Sequence, residues 1–535
     1  MSQPRNEFNE LKHISRKDLI YYPQTIADVQ NIIQCAIKNK LTVRTMGSEH
    51  SPADSIYSQS TNQMRMKLDG LLTKINQFDI DDSKEFALVT VGAGCCLGVN
   101  PSDRSSTLEN SFTYQVDAKG FALPNLGGIS HQTVAGFLST SSSGGTPKHN
   151  IADVVEEIGF VDGTGQYRRV KKGEDLFNAI GVSIGLLGVI TDVTFKLPKR
   201  YLVAGEEINL EMKDSCLVAD SKGEYSALDQ ALFSQNEYVH INWFAQKYVN
   251  RVTLWHGEAV GTDTPIKPYN HALSSKGMTV LASDILFITN VLNETRGDEE
   301  KVQKLIGGLT KPFVPVDEIK GQQQFCDTWY KALPIDDQTG VDRLISMSFS
   351  EMWFPRQQLN TVMKTANALF EKNPKAAGNL LVELYCAKQS PFWLSPSNGG
   401  DAVRMDLYWW DHNSVGNPNQ YFGQFYEAFK DVPGLRFHWG KYLPHPGEKY
   451  GSYTFSPDSL QKNYPKLADF LKCREQMDPD QLFVTDYWRN LLNIPAKPWH
   501  IFDIAKYIPG FSLFAAKAEK PAAPAIEHNS QPVLK

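Results

Sequence analysis

The sequence predicts an α+β fold, and three observations predict it. An amphipathic helix and a short strand open the chain, and short strands and turns fill the rest of the first 200 residues. Strand-like segments then recur, paired antiparallel through residues 239–255 and continuing through 350–410. A glycine- and serine-rich turn follows the first strand, where a chain carrying an anion site places its open backbone amides.

In chain order, Tyr22-Pro23-Gln24 leads to Thr25, an N-cap, with Asp28 three residues on. Ile26, Val29, Ile32, Ile33, Ala36 and Ile37 recur at helical spacing, and Lys38, Asn39 and Lys40 close the helix. Leu41-Thr42-Val43 reads as a strand feeding Arg44-Thr45-Met46-Gly47-Ser48-Glu49-His50-Ser51-Pro52. Small side chains leave that turn's amides open to phosphate, and His50 adds a nucleophilic nitrogen. The pair points to a dinucleotide held covalently. The turn is not GxGxxG, so nothing argues for a Rossmann nicotinamide site. Phe86 to Val91 reads as a buried strand ended by Gly92, Asn100 to Lys119 as a polar insertion, and Asp153 to Phe160 as a further strand. Asp162-Gly163-Thr164-Gly165 is a hairpin turn, and Ile190 to Leu197 a strand before Pro198. Val239 to Phe244, Val252 to Trp255, Ser350 to Pro355, Leu380 to Ala387 and Ala402 to Trp410 are strands, with a helix from Gln357 to Phe370.

Composition narrows the function class. With 41% apolar and 11% aromatic residues the chain reads as globular. A net charge of −6 gives no electrostatic case for nucleic acid. Seven cysteines without a CxxC pair argue against a metal or disulfide framework, and no metal is expected. Residues 1–17 lack an apolar signal core, so a cytoplasmic protein is expected. No apolar run reaches the ~20 residues of a spanning helix. The segment from Trp499 to Phe514 has an apolar bias and is read as docking on the body, with a membrane surface as the alternative.

Several motifs in fixed order resemble one family. The "R-x-x-G-x-x-H-S" loop, Thr90-Val91-Gly92-Ala93-Gly94, Leu123-Pro124-Asn125-Leu126-Gly127-Gly128-Ile129-Ser130, Gln132-Thr133-Val134-Ala135-Gly136, Gly185-Leu186-Leu187-Gly188-Val189-Ile190 and His438-Trp439-Gly440-Lys441 are similar to vanillyl-alcohol-oxidase-type flavoproteins. Within that group they resemble the D-arabinono-1,4-lactone, L-gulonolactone and alditol oxidases most. The resemblance implies a two-part FAD-binding domain with an inserted antiparallel-sheet substrate (cap) domain. Residues 1–200 would be the FAD domain, 201–434 the cap, 435–515 a segment returning to the FAD domain, and 516–535 a disordered tail.

The same resemblance implies FAD attached through His50, and, lacking a C-x-x-V-G element, one covalent bond only. Its cofactor contacts would be Arg44, Gly47, Ser48, Glu49, His50, Ser51, Leu126, Gly127, Ser130, Thr133, Gly136, Ser139, Thr140, Ser142, Ser143, Gly144, Gly188, Ile190, His438 and Lys441. Glu49 replaces a common glycine and must point away from the pyrophosphate. Thr140-Ser141-Ser142-Ser143-Gly144 stands where relatives have "TGTHG". The expected reaction oxidises a CH–OH group of a sugar lactone or polyol by hydride transfer to flavin N5, with O2 as acceptor giving H2O2. Glu383 would orient or deprotonate the hydroxyl, and Lys441 would stabilise negative charge. Relatives carry Glu-x-Arg where this chain has Glu383-Leu384-Tyr385, so Tyr385 replaces a permanent charge with a hydrogen-bond donor, and Lys388 is a candidate substitute. His438 contacts flavin or substrate, or packs beside Trp439. Trp243, Trp393, Trp409 and Trp410 are read as packing. Two rivals stay open: a related FAD dehydrogenase for a sterol, hydroxy acid or secondary metabolite with another acceptor, and a non-catalytic flavin-binding protein.

Overall fold

The computed structural model describes residues 11–17, 20–57, 62–270, 299–317, 319–334, 347–378, 381–410 and 416–497. Met1–Asn493 packs as one compact unit and Ile494–Lys535 as a second. The apolar segment Trp499 to Phe514 and the tail from 516 lie outside the described residues.

The first helix, Ile26–Asn39, forms where its periodicity places it. The Thr25 hydroxyl accepts from the Asp28 amide, and the Asp28 carboxylate accepts from the Thr25 amide, a closed capping box. Lys40 ends it in the left-handed region at φ 53°. Its buried stripe includes Val29, Ile32, Ile33 and Ala36. The helix falls between the second and third strands of a four-stranded sheet of β1 (Ser15–Lys17), β2 (Ile20–Tyr22), β3 (Thr42–Met46) and β4 (Gln63–Lys67), ordered β1-β2-β4-β3. β4 runs parallel to both β2 and β3.

A second, antiparallel sheet contains β5 (Ile75–Ile80), β6 (Phe86–Gly92), β7 (Val155–Val161), β8 (Tyr167–Lys171) and β9 (Val189–Pro198), ordered β5-β6-β9-β7-β8. β7 starts two residues later than expected, because Asn150 caps a helical turn at Ile151–Val154 and its amide bonds Asp153. The stretch expected as a polar insertion contains a helix, Phe112–Ala118. Phe112 and Val116 are fully buried there, which a polar loop would not explain.

The third sheet has eight strands: β10 (Leu202–Glu211), β11 (Tyr238–Phe244), β12 (Arg251–Val260), β13 (Gln322–Thr328), β14 (Met347–Pro355), β15 (Val382–Ala387), β16 (Ala402–Trp410) and β17 (Arg436–Phe437). Their order is β13-β10-β12-β11-β15-β16-β14-β17, antiparallel throughout. The third sheet begins at Leu202. The boundary expected at 434 is no break in this sheet, since β17 hydrogen-bonds to β14 beyond it.

The chain then returns to the first sheet. The Val43 amide donates to the Leu482 carbonyl (2.7 Å), and the Trp488 indole donates to the Ser55 carbonyl (2.9 Å). Among the described residues no helix is long and apolar enough to cross a membrane. All seven cysteines are free thiols, and among the described residues no cluster of three or more His, Cys, Asp or Glu side chains could hold a metal.

Candidate active site

A cleft opens where β3 ends. Arg44 to Ser51 form one wall, Ala93-Gly94, Thr133, Ala135-Gly136 and Ser139-Thr140 the floor, and Gly188 to Ile190 the far side. His438 to Lys441 close one end. Gly47 must be glycine, because a Cβ there would sit 2.7 Å from the Thr133 hydroxyl. Thr133 in turn caps the helix Val134–Ser139, accepting from the Gly136 amide at 3.1 Å. His50 faces the cleft, and its ring packs 4.1 Å from that of His131.

Several of the expected cofactor contacts line the cleft while bonding partners within the protein. The Arg44 guanidinium lines the cleft but donates to the carbonyls of Ser55, Ile56, Ile184, Gly185 and Phe483 at 3.0–3.4 Å. It staples β3 to two distant turns, and burial lowers its pKa to about 10. Because those partners are neutral dipoles, its charge is solvated and not cancelled. Glu49 sits at φ 63°, and its carboxylate accepts from the Tyr57 hydroxyl, which turns it aside as the turn requires. The Ser139 and Thr140 hydroxyls are spent on their own helix, donating to the Ala135 and Gly136 carbonyls.

Leu126, Gly127, Ser130, Ser142, Ser143 and Gly144 do not line this cleft. Ser130 packs against Gly98. Leu126, Gly127 and Gly144 border a smaller cavity with Tyr238, His240, Trp255 and Tyr385. The cause is a wedge. The Val239 amide donates to Gly145, and Thr146 bridges Ala387, so this loop runs between the ends of β11 and β15. A Cβ on Gly145 would lie 1.8 Å from the Val239 carbonyl, so only glycine allows the approach. Gly145 and Thr146 thus hold this loop against two neighbouring strands of one sheet.

The eight-stranded sheet presents polar side chains in two rows. One row follows the register His240 (β11), Tyr385 (β15), Arg404 (β16), Trp353 (β14). The His240 and Tyr385 rings stack at 4.4 Å, and the Arg404 guanidinium lies 4.1 Å from the Tyr385 ring and 5.5 Å from that of Trp353. The next row is Asn242, Glu383, Asp406, Glu351. The Tyr385 hydroxyl donates to Glu383 at 3.0 Å, so the shared face expected for Glu383 and Tyr385 is realised. His240 Nε2 lies 3.5 Å from the other Glu383 oxygen.

Burial alone would raise the Glu383 pKa, but hydrogen bonds from His240 and Tyr408 and the nearby Arg404 charge hold it below its ordinary value. Burial first, then Glu383, pushes the Tyr385 phenol well above its ordinary range, so it stays a donor. Glu351 would also be raised by burial, yet Arg404, His438 and Lys441 bring it down to about 2.

The permanent charge that Tyr385 cannot supply comes from the neighbouring strand. Arg404 stands opposite Tyr385, with its Nε and Nη2 forked onto Asp406 (2.6–3.0 Å) and Nη1 on the Ser143 carbonyl (2.6 Å). Lys388 does not substitute; it pairs with Asp153 at 3.0 Å. Arg404, Asp406, Glu351, His240 and Tyr408 escaped sequence reading. The signal was present in β16, where Arg404 and Asp406 alternate with the buried apolar Val403, Met405 and Leu407.

Lys441 Nζ lies 3.9 Å from Glu351 and 4.5 Å from the Phe349 ring. His438 Nδ1 accepts from the Gly440 amide (3.1 Å), which leaves the proton on Nε2, 3.4 Å from the Ser142 hydroxyl. Burial, with Lys441 and Arg404, lowers its pKa to about 4, so the ring is neutral at physiological pH. Trp243 and Trp409 are buried in packing, as expected.

Elongated, floored by small residues and carrying an uncancelled guanidinium, the cleft fits a dinucleotide, and its far end runs into a histidine–lysine segment that also contacts the polar sheet face. This fold is shared with cholesterol oxidase structures. One from B. sterolicum superimposes with a TM-score of 0.66 at 13% identity, covering 88% of this chain and 94% of that one. A solvent-stable cholesterol oxidase gives 0.63 at 15%.

The D-arabinono-1,4-lactone oxidase family profile matches residues 224–491. The chain belongs to that family. The L-gulonolactone oxidase of Scyliorhinus torazame is 22% identical over 88% of this chain and 94% of its own length. The D-arabinono-1,4-lactone oxidase of Kluyveromyces lactis is 27% identical over 47% of this chain, and the putative one of Neurospora crassa 27% over 46%. Those matches span 43% and 39% of the fungal proteins' own lengths.

Proposed function

We propose that the protein is an FAD-dependent oxidoreductase that oxidises a CH–OH group of a sugar lactone or polyol, with O2 as acceptor and H2O2 as product. The observation that carries this is Glu383, an ionised carboxylate with the Tyr385 hydroxyl and the His240 ring at its sides, on a sheet face reached by the same segment that closes the cleft. The eight-stranded sheet then serves as the cap. When bound, FAD supplies the two-electron acceptor that no side chain here provides. Gly47, Ser48, Thr133 and Gly188 would hold it through backbone amides, and His50 would carry the covalent bond.

Glu383 accepts the hydroxyl proton, and Tyr385 and His240 hold its two oxygens in a fixed orientation. Lys441 steadies negative charge that develops beside it. His438, held neutral, offers an Nε2–H without adding charge. The wedge at Gly145 seats its loop against the ends of β11 and β15, beside the Tyr385 ring. The free thiols support a reducing, cytoplasmic setting.

Purified protein is to be offered D-arabinono-1,4-lactone, L-gulono-1,4-lactone, xylitol and a sterol under air, with peroxide detection. Peroxide from a lactone or polyol alone supports the reading; bleaching only by the sterol, or by nothing offered, rejects it. Acid denaturation tests the covalent bond separately. Yellow colour that stays with the chain, and leaves it in His50→Ala, is the expected result.

A further inference from the structure

The cap face holds three carboxylates, Glu351, Glu383 and Asp406, and two permanent cations, Arg404 and Lys441. Each cation already has its acid. Arg404 carries five N–H donors, and the structure commits its Nε edge to Asp406 and one Nη1 hydrogen to Ser143. Its two flat faces are covered by the Tyr385 and Trp353 rings. Its side chain is only 5% exposed. Lys441 faces Glu351. Among the described residues, Glu383 is the carboxylate of this face that no lysine or arginine approaches within 4 Å, and its side chain is 17% exposed. An incoming anion therefore meets an unmatched acid and no open guanidinium fork, and a carboxylate buried without a cation is costly.

We infer that the Arg404–Asp406 fork is a charge filter: Asp406 occupies the guanidinium edge a substrate carboxylate would need, so the site admits uncharged hydroxylated rings and rejects their ring-opened acids. The inference rests on the lactone reading, and it assigns Asp406 as a specificity-determining residue acting through Arg404. It also distinguishes a lactone from the aldonate formed when the same lactone hydrolyses, two molecules of nearly equal size and hydroxyl pattern. Shape alone would separate them poorly.

The test is calorimetric titration of FAD-loaded wild type, Asp406→Asn and Asp406→Ala with D-arabinono-1,4-lactone and with D-arabinonate. Wild type is expected to bind the aldonate at least tenfold more weakly than the lactone. Asp406→Ala opens the fork and is expected to bind aldonate at least tenfold more tightly than wild type. That gain is expected to vanish in the double variant Arg404→Gln/Asp406→Ala. Asp406→Asn keeps the packing and decides the matter should the alanine variant fail to fold; a gain in aldonate affinity is again expected. Equal wild-type affinity for both ligands overturns the filter, as does a folded Asp406 variant with no gain. A wild type that ignores the lactone, with Asp406 variants that still gain aldonate, removes the lactone reading and leaves the filter standing.

Discussion

The cleft and the cap face are built by opposite means. The cleft uses small residues, backbone amides and turns contiguous in sequence; its one buried arginine is spent on carbonyls. The cap face uses large charged and aromatic side chains, one or two from each of four strands. The first region binds with geometry that a short motif can encode. The second acts through neighbours that only strand pairing brings together. Damage should therefore separate: changes in the cleft should cost cofactor, and changes on the cap face should cost turnover with cofactor retained.

The largest expected effect tests the cap side. Glu383→Gln keeps both flanking donors but cannot take a proton. Anaerobic flavin reduction should slow about 10²- to 10⁴-fold with FAD content unchanged; a loss of FAD instead would break the division between the regions.

His438 gives a pH test at their junction. Its folded pKa of about 4 lies below the ordinary 6.5, so the unfolded chain takes up the proton first. The stability contributed is present above pH 6.5 and is lost as pH falls toward 4, by about 3 kcal/mol in all. His438→Asn should flatten that part of the pH–melting curve relative to wild type, while equal slopes in both proteins would show that the ring is solvated.

Gly145→Ala addresses the wedge between the two regions. A methyl 1.8 Å from the Val239 carbonyl must move the loop or the strand. A loss of about 1–3 kcal/mol in denaturant unfolding is expected, together with slower reduction, since Tyr385 shifts with its strand. Normal stability and rate would show that the loop is not held against β11 there.

The smallest effect belongs to the cleft. Thr133→Ala removes the cap on Val134–Ser139 and the contact above Gly47. About 1 kcal/mol of stability and a reduced FAD content are expected, with substrate-driven reduction unaffected in the molecules that keep FAD.

Much of the fold could be read from the chain because its signals are local. The capping box at Thr25 and Asp28, the apolar stripe of the first helix and the glycine at 47 each involve residues within one turn or one loop. The same locality misled at Ser139 to Gly144. There small residues look like a phosphate grip, but their hydroxyls and amides are taken by their own helix, by Asn125 and by the cap strands. At Phe112 to Ala118 a run that reads as polar hides two buried apolar positions.

The sequence by itself determined the first helix with its capping box, the glycine turn that follows β3, and the shared face of Glu383 and Tyr385, since period-two alternation puts them on one face whatever lies beside them. Tertiary structure alone decided where the positive charge stands. Arg404 is nineteen residues beyond Tyr385, and antiparallel register places it directly opposite. It also decided which acids are matched and which is left to act. A carboxylate's role follows from the cations within about 4 Å of it, and those distances are set by strand pairing that no linear spacing records.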